Sequence, residues 1–401
     1  MDTDVLIIGG GMAGGQLAAL LADTGLSVRV LDGAPEPVAP DGDPELRVSA
    51  INEASHWLLQ SVGAWQRLPA ERVCAYSDMS VRDADGTGEV DFHAGEARAE
   101  QLGWIIENAA IVRALFEVCL DREAVTWHTG VRVTGLHREE QGWRAELADG
   151  TACRAPLLVG ADGARSMVRE AAGIPAPVRD SGHHALVATL ASELPHDNCA
   201  RQVFLDQGPV ALLPLFGDGH RVSLVWSAPP GRIEERMQLS DADFGTALTR
   251  ATAGWLGELA PASQRARFPI RELHASDYIA PGLALIGDAA HVIHPLAGQG
   301  INLGLLDAGV LAEEIERALA RGLVAHDETV LRRYQRRRRG HNALMQNALR
   351  GFQFAFERRA PAARFVRNLG MRGVNRLAPV KGALARQALG RDGDLPVRAR
   401  P

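Results

Sequence analysis

The stretch VLIIGGGMAGGQLAALLADTGLSVRVLD, residues 5–32, decides the fold. It opens with an apolar run, Val5–Ile8, which ends in a cluster of glycines, and leucines then recur at helical spacing. A second apolar run, Val28–Leu31, follows, and Asp32 closes it. The pattern predicts a strand, a tight turn, a helix and a second strand.

Three glycines in this unit, Gly9, Gly11 and Gly14, fit the pattern G-x-G-x-x-G. The first makes the tight turn, the second lets the backbone approach a pyrophosphate, and the third lets helix and strand pack closely. Asp32 lies eighteen residues beyond Gly14, where an acid can bind a ribose. Because this acid would repel a 2′-phosphate, the unit predicts a site for the AMP half of FAD or NAD.

Two later stretches also join an apolar run to glycines: LLVGADGARSMVR (157–169) and LIGDAAHVIHPLAGQGINLGLLD (285–307). In the second, a helix start at 295–300 offers unpaired N–H groups to an anion, and Asp288 can accept hydrogen bonds from sugar hydroxyls. Alternatively, the glycines only permit a tight turn and Asp288 caps a helix. Strands near residues 5, 160 and 285 indicate one nucleotide-binding domain that is interrupted by insertions.

Composition places the chain among globular proteins of two-domain size. It has 401 residues, of which 46% are hydrophobic and 23% are charged. The four cysteines form no C-x-x-C pair, which favours a reducing, cytoplasmic location. Residues 5–22 lack charge, but their five glycines argue against a membrane span, and the acidic start does not match a signal peptide.

Metal and hydrolase chemistry have little support in the sequence. His183 and His184 are adjacent, and His291 and His294 lie three apart, but neither pair has a carboxylate or cysteine at a ligand-like spacing. Ser166 lacks the G-x-S-x-G context of a nucleophile. We therefore expect no metal site.

The three glycine-rich motifs together resemble those of the flavin-dependent aromatic hydroxylases, the group A flavoprotein monooxygenases. Within that group, HPLAGQGINLG is similar to the signature of the ubiquinone-biosynthesis hydroxylases. Further matching stretches extend the resemblance over nearly the whole chain: 47–51, 103–108, 208–216, 223–226, 334–346 and 364–370.

The resemblance implies an α/β fold with a Rossmann-like FAD-binding domain of the para-hydroxybenzoate hydroxylase type, an inserted mixed β-sheet substrate domain and a helical C-terminus. The expected FAD-domain segments are 1–75, 101–180 and 276–330, the substrate-sheet segments are 76–100 and 181–275, and the basic helical region is 331–401. Apolar runs at 185–190, 210–216 and 221–227 predict strands of the substrate sheet, and the stretch 76–93, broken at Asp85-Gly86, is expected to join them. Individually, these apolar residues fit an ordinary core equally well.

The resemblance also implies which residues bind FAD. They are Gly9, Gly11, Met12, Ala13, Gly14, Asp32, Arg47, Arg113, Val133, Asp162, Gly287, Asp288, Pro295, Gly298, Gly300, Ile301 and Asn302. Arg47 and Arg113 would bring cations to the pyrophosphate and ribityl chain, although Arg113 lies in a helical stretch where a solvated arginine is common. Asp162 would take part where flavin and nicotinamide binding meet. No motif identifies a catalytic acid or base.

The implied reaction is monooxygenation, in which reduced FAD takes up O2 as a 4a-hydroperoxide and hydroxylates a polyprenylated phenol or quinol. With no second G-x-G-x-x-G after a strand, NAD(P)H as reductant would bind transiently on the flavin domain. The ring position stays open, and so do a soluble aromatic hydroxylase without a lipid-tailed substrate and a non-catalytic flavin-binding assembly subunit.

Charge is distributed very unevenly along the chain. Residues 332–401 hold seventeen arginines and one lysine against three acidic residues, a net charge of +15, whereas the whole chain carries −6. Interleaved apolar residues predict a pair of amphipathic basic helices. They would contact the inner face of an anionic membrane or a quinone-synthesis complex, or would pack on the acidic flavin domain with the arginines solvated. Nucleic acid is not expected as a partner, since no recognition motif accompanies the charge.

Overall fold

The computed structural model describes residues 1–84, 88–293, 300–357, 368, 371, 373–375 and 377–401. The strands of this part of the chain form four sheets. Strands and helices are numbered below in chain order.

The central sheet carries the nucleotide-binding pattern. Its six strands are β1 (Val5–Ile8), β2 (Val28–Leu31), β8 (Val125–His128), β12 (Leu157–Gly160), β19 (Ile279–Ala280) and β20 (Leu283–Leu285). Their order across the sheet is β19-β20-β12-β1-β2-β8, and all but β19 are parallel. Every residue of β1, β12 and β20 is buried, as in parallel sheets covered on both faces. The predicted strands near residues 5, 28, 160 and 285 are therefore confirmed.

Helices α1 (Met12–Leu21), α3 (Asn108–Leu120) and α7 (Gly300–Leu319) pack beside this sheet, with α1 in contact with both others. Glycine allows the close approach of α7 to the sheet. A Cβ at Gly304 would lie 3.2 Å from the Cα of Gly287 and 3.6 Å from the Cβ of Ala13. The start of α1, the turn after β20 and the first turns of α7 therefore meet through their smallest residues.

A larger mixed sheet contains the predicted substrate strands. Its members are β5 (Asp78–Asp83), β6 (Glu89–His93), β13 (Val178–Ser192), β14 (Cys199–Leu205), β15 (Gly208–Pro214), β16 (Arg221–Ala228), β17 (Leu259–Pro261), β18 (Ala266–His274) and β21 (His291–Val292). The order is β21-β18-β13-β16-β15-β14-β5-β6, with β17 beside β13, and only the β14–β5 pair is parallel. The three apolar runs predicted as strands do form β13, β15 and β16, and β5 and β6 join them as expected; their role in binding a substrate stays a prediction. The break expected at Asp85-Gly86 lies outside the described residues.

One face of this mixed sheet packs against two helices, α5 (Pro230–Met237) and α6 (Asp241–Ala251). Two smaller sheets complete the fold: β3 (Val48–Ile51), β4 (Cys74–Tyr76) and β7 (Gly103–Glu107) form one, and β9 (Val133–Glu139), β10 (Gly142–Leu147) and β11 (Ala152–Ala155) form the other. Helices α2 (Glu53–Ser61) and α4 (Met167–Ala171) lie in the same half of the chain. The domain bounds given above stay a prediction.

The C-terminal region holds helices α8 (Glu328–Glu357) and α9 (Ala378–Ala388), and α8 packs against α7. Arg337 ion-pairs with Glu313 and Glu314 of α7 at 3.0 and 2.8 Å. The expectation that packing would leave the arginines solvated is thus wrong for Arg337 and for Arg338, which is 1% exposed. Acidic side chains of α7 face these arginines of α8, so each buried arginine leaves water together with a partner of opposite charge. Within the described residues no helix is long and apolar enough to cross a membrane.

Candidate functional site

A cavity of about 380 Å³ opens where β20, β12 and β1 reach their carboxyl ends. Ligands of open parallel sheets bind at this edge, and the volume falls in the range of roughly 300–1,000 Å³ of small-molecule sites. The lining residues are Gly11, Met12, Ala13, Arg47, Val48, Ser49, Asn108, Ala161, Gly163, Ile286, Gly287, Asp288, Val292, Ile293, Gly300, Ile301 and Gly304. The cavity brings together eight of the residues predicted to bind FAD, from segments almost 300 positions apart in the chain.

The glycines of the first motif divide into two kinds. Gly9 has φ +102°, and a Cβ there would lie 2.3 Å from the Ala161 carbonyl oxygen; at Gly14 it would lie 2.0 Å from the Gly9 carbonyl oxygen. Gly11 has an ordinary extended conformation, φ −69° and ψ −172°, and a Cβ there would meet no atom within 4 Å. Gly9 and Gly14 are thus required by the protein's own packing, whereas Gly11 leaves space open in the cavity.

Asp32 organises the turn that leads into α1. Its Oδ2 accepts a hydrogen bond from the Gly10 N–H at 3.0 Å and its Oδ1 accepts one from the Ala34 N–H at 2.9 Å. A Cβ at Gly10 would lie 2.6 Å from Asp32 Oδ2 and 2.3 Å from the Trp127 ring, so this position also requires glycine. The carboxylate, which is only half-buried, keeps lone pairs for a ribose.

The turn after β20 presents a carboxylate to the cavity. Gly287, at φ +58°, lets the chain turn there, and Asp288 lines the cavity with an exposed side chain. The protein atoms around the carboxylate still displace water from it and raise the pKa of Asp288, while the charges of His291 and Arg47 oppose the rise. Arg47, which is exposed at the end before β3, supplies a cation to the same cavity.

Asp162 lies between two lining residues, Ala161 and Gly163, and its own side chain turns back toward α4. Its Oδ2 accepts a hydrogen bond from the Val168 N–H at 3.2 Å, and its buried Oδ1 has no hydrogen-bond partner in the described part of the chain. Burial raises the pKa of Asp162, against hydrogen bonds from Ser166 and from backbone N–H groups. Asp162 therefore lies beside the cavity without lining it.

Seven predicted residues in the described part of the chain do not line the cavity: Gly9, Gly14, Asp32 and Asp162, described above, and Arg113, Val133 and Asn302. Arg113 pairs with Glu36 at 2.9 Å and with Glu117 at 2.6 Å, beside the loop that follows Asp32. Val133 begins β9, and Asn302 ties α7 to β3 by donating to the Ala50 carbonyl oxygen at 2.9 Å.

Pro295 and Gly298 lie outside the described residues, as does His294. The role predicted for the loop at 295–300 can therefore be followed only at its last residue, Gly300, which lines the cavity.

Two lining side chains, Ser49 and Asn108, lie in stretches that resemble the family, but the sequence predicted no role for them. Ser49 Oγ donates a hydrogen bond to Asn108 Oδ1 at 2.7 Å, on the wall formed by β3 and the start of α3. The pairing of β3 with β7, Val48 opposite Glu107, brings them together. Strand register is not visible in the sequence, so nothing there could have linked these two residues.

These features fit FAD. Gly11 leaves open space, the N-terminal turns of α1 and α7 both line the cavity, where helix amides and positive dipole ends favour an anion, and Asp288 offers an acceptor for hydroxyls. Arg47 provides a charge that complements a pyrophosphate. The residues would hold the nucleotide along the carboxyl ends of β1 and β2 and the flavin end near α7.

Comparisons with known proteins identify the family of this chain. A family model described as an FAD binding domain matches residues 2–348. The chain is 36% identical over 389 residues to 3-demethoxyubiquinol 3-hydroxylase of Escherichia coli, with 97% of this chain and 98% of that protein covered. It is 37% identical over 389 residues to ubiquinone hydroxylase UbiL of Rhodospirillum rubrum, with 96% and 89% covered.

Among solved structures, the fold is similar to that of Pseudomonas aeruginosa PqsL in complex with 2-aminobenzoylacetate. The TM-score is 0.78 at 25% identity, and the match covers 92% of this chain and 99% of that one.

Proposed function

Because the chain belongs to the FAD-binding-domain family of flavin-dependent monooxygenases, together with ubiquinone-biosynthesis hydroxylases, we propose that it hydroxylates the ring of a polyprenylated quinol. The substrate we favour is the demethoxyubiquinol on which the E. coli relative is named to act. The observation that carries this choice is the end-to-end match to that relative. FAD is the cofactor, with NAD(P)H and O2 as the usual co-substrates of the family.

The wall next to the flavin end suits an uncharged ring. Val48, which lines the cavity, packs with Leu213, Phe216 and Tyr76 in one apolar cluster between β3 and the mixed sheet. Burial raises the pKa of Tyr76 to about 12, so its phenol stays neutral. A polyprenylated quinol offers an apolar, electron-rich ring to such a wall.

The chain's own residues orient and protect the reaction. Asp288 and Arg47 would hold the sugar and phosphate parts of FAD, and the start of α7 would place a positive dipole end at the ring edge where negative charge accumulates. The apolar cluster would exclude water. When bound, FAD supplies the activation of O2 and the transfer of one oxygen atom.

The test is complementation of an E. coli strain that lacks its own 3-demethoxyubiquinol 3-hydroxylase, with quinones measured by mass spectrometry. Restored ubiquinone supports the proposal. Persistent demethoxyubiquinone alongside folded, yellow protein would contradict the choice of substrate and favour another ring position, a soluble aromatic substrate or a non-catalytic subunit. Heat-released flavin should run as FAD, and release of FMN would contradict the predicted AMP site.

We further propose that the C-terminal region docks on an anionic membrane, where a polyprenylated quinol resides. Supporting this are exposed apolar side chains on α8, at the residue before α9 and on α9, namely Leu344, Leu377, Val380 and Leu384. Arg336 and Arg339 are exposed on α8, in contrast to Arg337 and Arg338. Exposed cations beside apolar groups are typical of peripheral helices.

The docking test must avoid Arg337 and Arg338, since neutralising either would break ion pairs inside the fold. Changing Arg336 and Arg339 to glutamine should weaken binding to anionic liposomes, measured by sedimentation, by about 2 kcal/mol, or roughly thirtyfold in affinity. Each cation near an anionic surface contributes about 1 kcal/mol to binding. Changing Arg138 and Arg321, which are exposed outside the C-terminal region, makes the same change in net charge and should have little effect. Equal loss in both pairs, or binding that ignores lipid charge, would favour a protein partner instead.

A further inference from the structure

Asp307 lies seven residues into α7 and is completely buried. Its carboxylate accepts four hydrogen bonds. Oδ2 accepts from the Gly287 N–H at 3.0 Å and pairs with His291 Nε2 at 2.5 Å. Oδ1 accepts from Arg338 Nε at 2.7 Å and Asn342 Nδ2 at 3.0 Å.

The donors come from three separate parts of the chain. Gly287 belongs to the turn after β20, His291 to β21, and Arg338 and Asn342 to α8. Burial disfavours the charged form of Asp307, yet the charges of His291 and Arg338 and their hydrogen bonds hold its pKa well below its usual range. A buried carboxylate costs free energy unless its partners satisfy it, and here each oxygen has two.

Two of these contacts reach the wall of the cavity. Gly287 lines the cavity itself and precedes Asp288, and His291 precedes the lining residues Val292 and Ile293. On the other side, α7 lines the cavity with Gly300, one end of the helix on which Asp307 stands. Asp307 therefore connects α7 by hydrogen bonds to the turn after β20 and to β21, next to the residues that line the cavity.

We propose that Asp307 is a positioning residue of the flavin site. It holds the Gly287 amide so that the Asp288 carboxylate faces the cavity and meets the ribityl hydroxyls of FAD. The charge of Arg338 keeps Asp307 ionised for this purpose, and α8 thereby supports the flavin site without touching it. This inference rests on the FAD-binding part of the proposed function and not on the identity of the ring that is hydroxylated.

A matched ion pair on the same helix separates positioning from simple destabilisation. Arg350 of α8 pairs with the buried Glu272 of β18 at 2.5 Å, and in the part of the chain that the structure describes Glu272 has no hydrogen bond to the Gly287 turn. Asp307→Asn and Glu272→Gln each remove one buried negative charge that anchors α8. Both should lower the thermal stability of the apoprotein.

Only Asp307→Asn should also weaken FAD binding, by about tenfold or more, measured by flavin fluorescence titration well below both melting temperatures. Glu272→Gln should bind FAD within about twofold of the parent. The decisive measurement is a cycle with Asp288→Ala. If Asp307 acts through Asp288, the double variant binds FAD no more weakly than Asp288→Ala alone.

Additive losses in that cycle, or unchanged FAD affinity in Asp307→Asn, would overturn the proposal. If Asp307→Asn fails to fold, Asn342→Ala removes one of the four hydrogen bonds to the carboxylate and goes through the same cycle, with the same two outcomes deciding. Because FAD affinity is the readout, the test stands apart from complementation: a wrong choice of substrate would leave it unaffected.

Discussion

Replacing Gly11 by valine should strongly weaken FAD binding and leave the fold intact. The backbone at Gly11 is extended, a conformation that valine adopts readily, and a Cβ there would meet nothing within 4 Å. Losing glycine also reduces the freedom of the unfolded chain, which stabilises a compatible site by about 0.4–1 kcal/mol. The free energy of unfolding of the apoprotein should therefore be unchanged or slightly higher.

The loss of affinity follows from what the new side chain would occupy. Valine at position 11 would fill the space in front of the first N–H groups of α1, which have no partner within the helix. A hydrogen bond to a charged group is worth about 1.5–3 kcal/mol, so losing two amide bonds to a pyrophosphate costs about 3–6 kcal/mol. This corresponds to roughly two to four orders of magnitude in the FAD dissociation constant.

The assay combines urea unfolding of the apoprotein with titration of FAD. Gly14→Ala is the control, since its Cβ would lie 2.0 Å from the Gly9 carbonyl oxygen and should cost about 1–3 kcal/mol of folding free energy through overpacking. A Gly11→Val protein that is stable and binds FAD like the parent would refute the assignment of the pyrophosphate to this turn. So would a Gly11→Val protein that loses stability as Gly14→Ala does.

Three other changes give measurable outcomes. Asp288→Ala should raise the FAD dissociation constant roughly tenfold to a hundredfold, the worth of about 1.5–3 kcal/mol for one charged acceptor, and unchanged affinity in a fluorescence titration would contradict its role. Burial opposes the ionisation of Asp307, but His291 and Arg338 keep its folded pKa below the unfolded value of about 3.9, so its stabilisation exists above that pH and disappears as the pH falls. Urea unfolding should accordingly show a larger gap between parent and Asp307→Asn at pH 7 than at pH 3, and an equal gap would argue against the ion pairs. Glu107→Gln breaks the buried ion pair between Glu107 and Arg72 and should lower the free energy of unfolding by about 3–5 kcal/mol, which a lower urea midpoint would detect. An unchanged midpoint would show that this ion pair does not stabilise the fold.

The strand, turn and helix at the start of the chain could be predicted because their signals are local. Four consecutive apolar residues, a cluster of glycines and a helical repeat of leucines require nothing distant to be recognised. The sequence motif also predicted different roles for Gly9, Gly11 and Gly14. In the structure, neighbouring backbone atoms leave no room for a side chain at Gly9 and Gly14 but leave room at Gly11. Resemblance extended this to the stretches around Asp162 and Asp288. The structure brings Ala161, Gly163 and Asp288 to one cavity because parallel strands share their carboxyl ends.

Contacts between distant residues were decided only by the tertiary structure. Arg338 belongs to a run of four arginines that looks uniformly solvated in the sequence, yet it alone among them meets Asp307, because the face of α8 that turns toward α7 is set by packing. Ser49 and Asn108 meet because β3 pairs with β7 in one register, and Arg113 pairs with Glu36 because a loop passes beside α3. Pairing and register depend on side chains that are many residues apart, so local spacing carries no record of them.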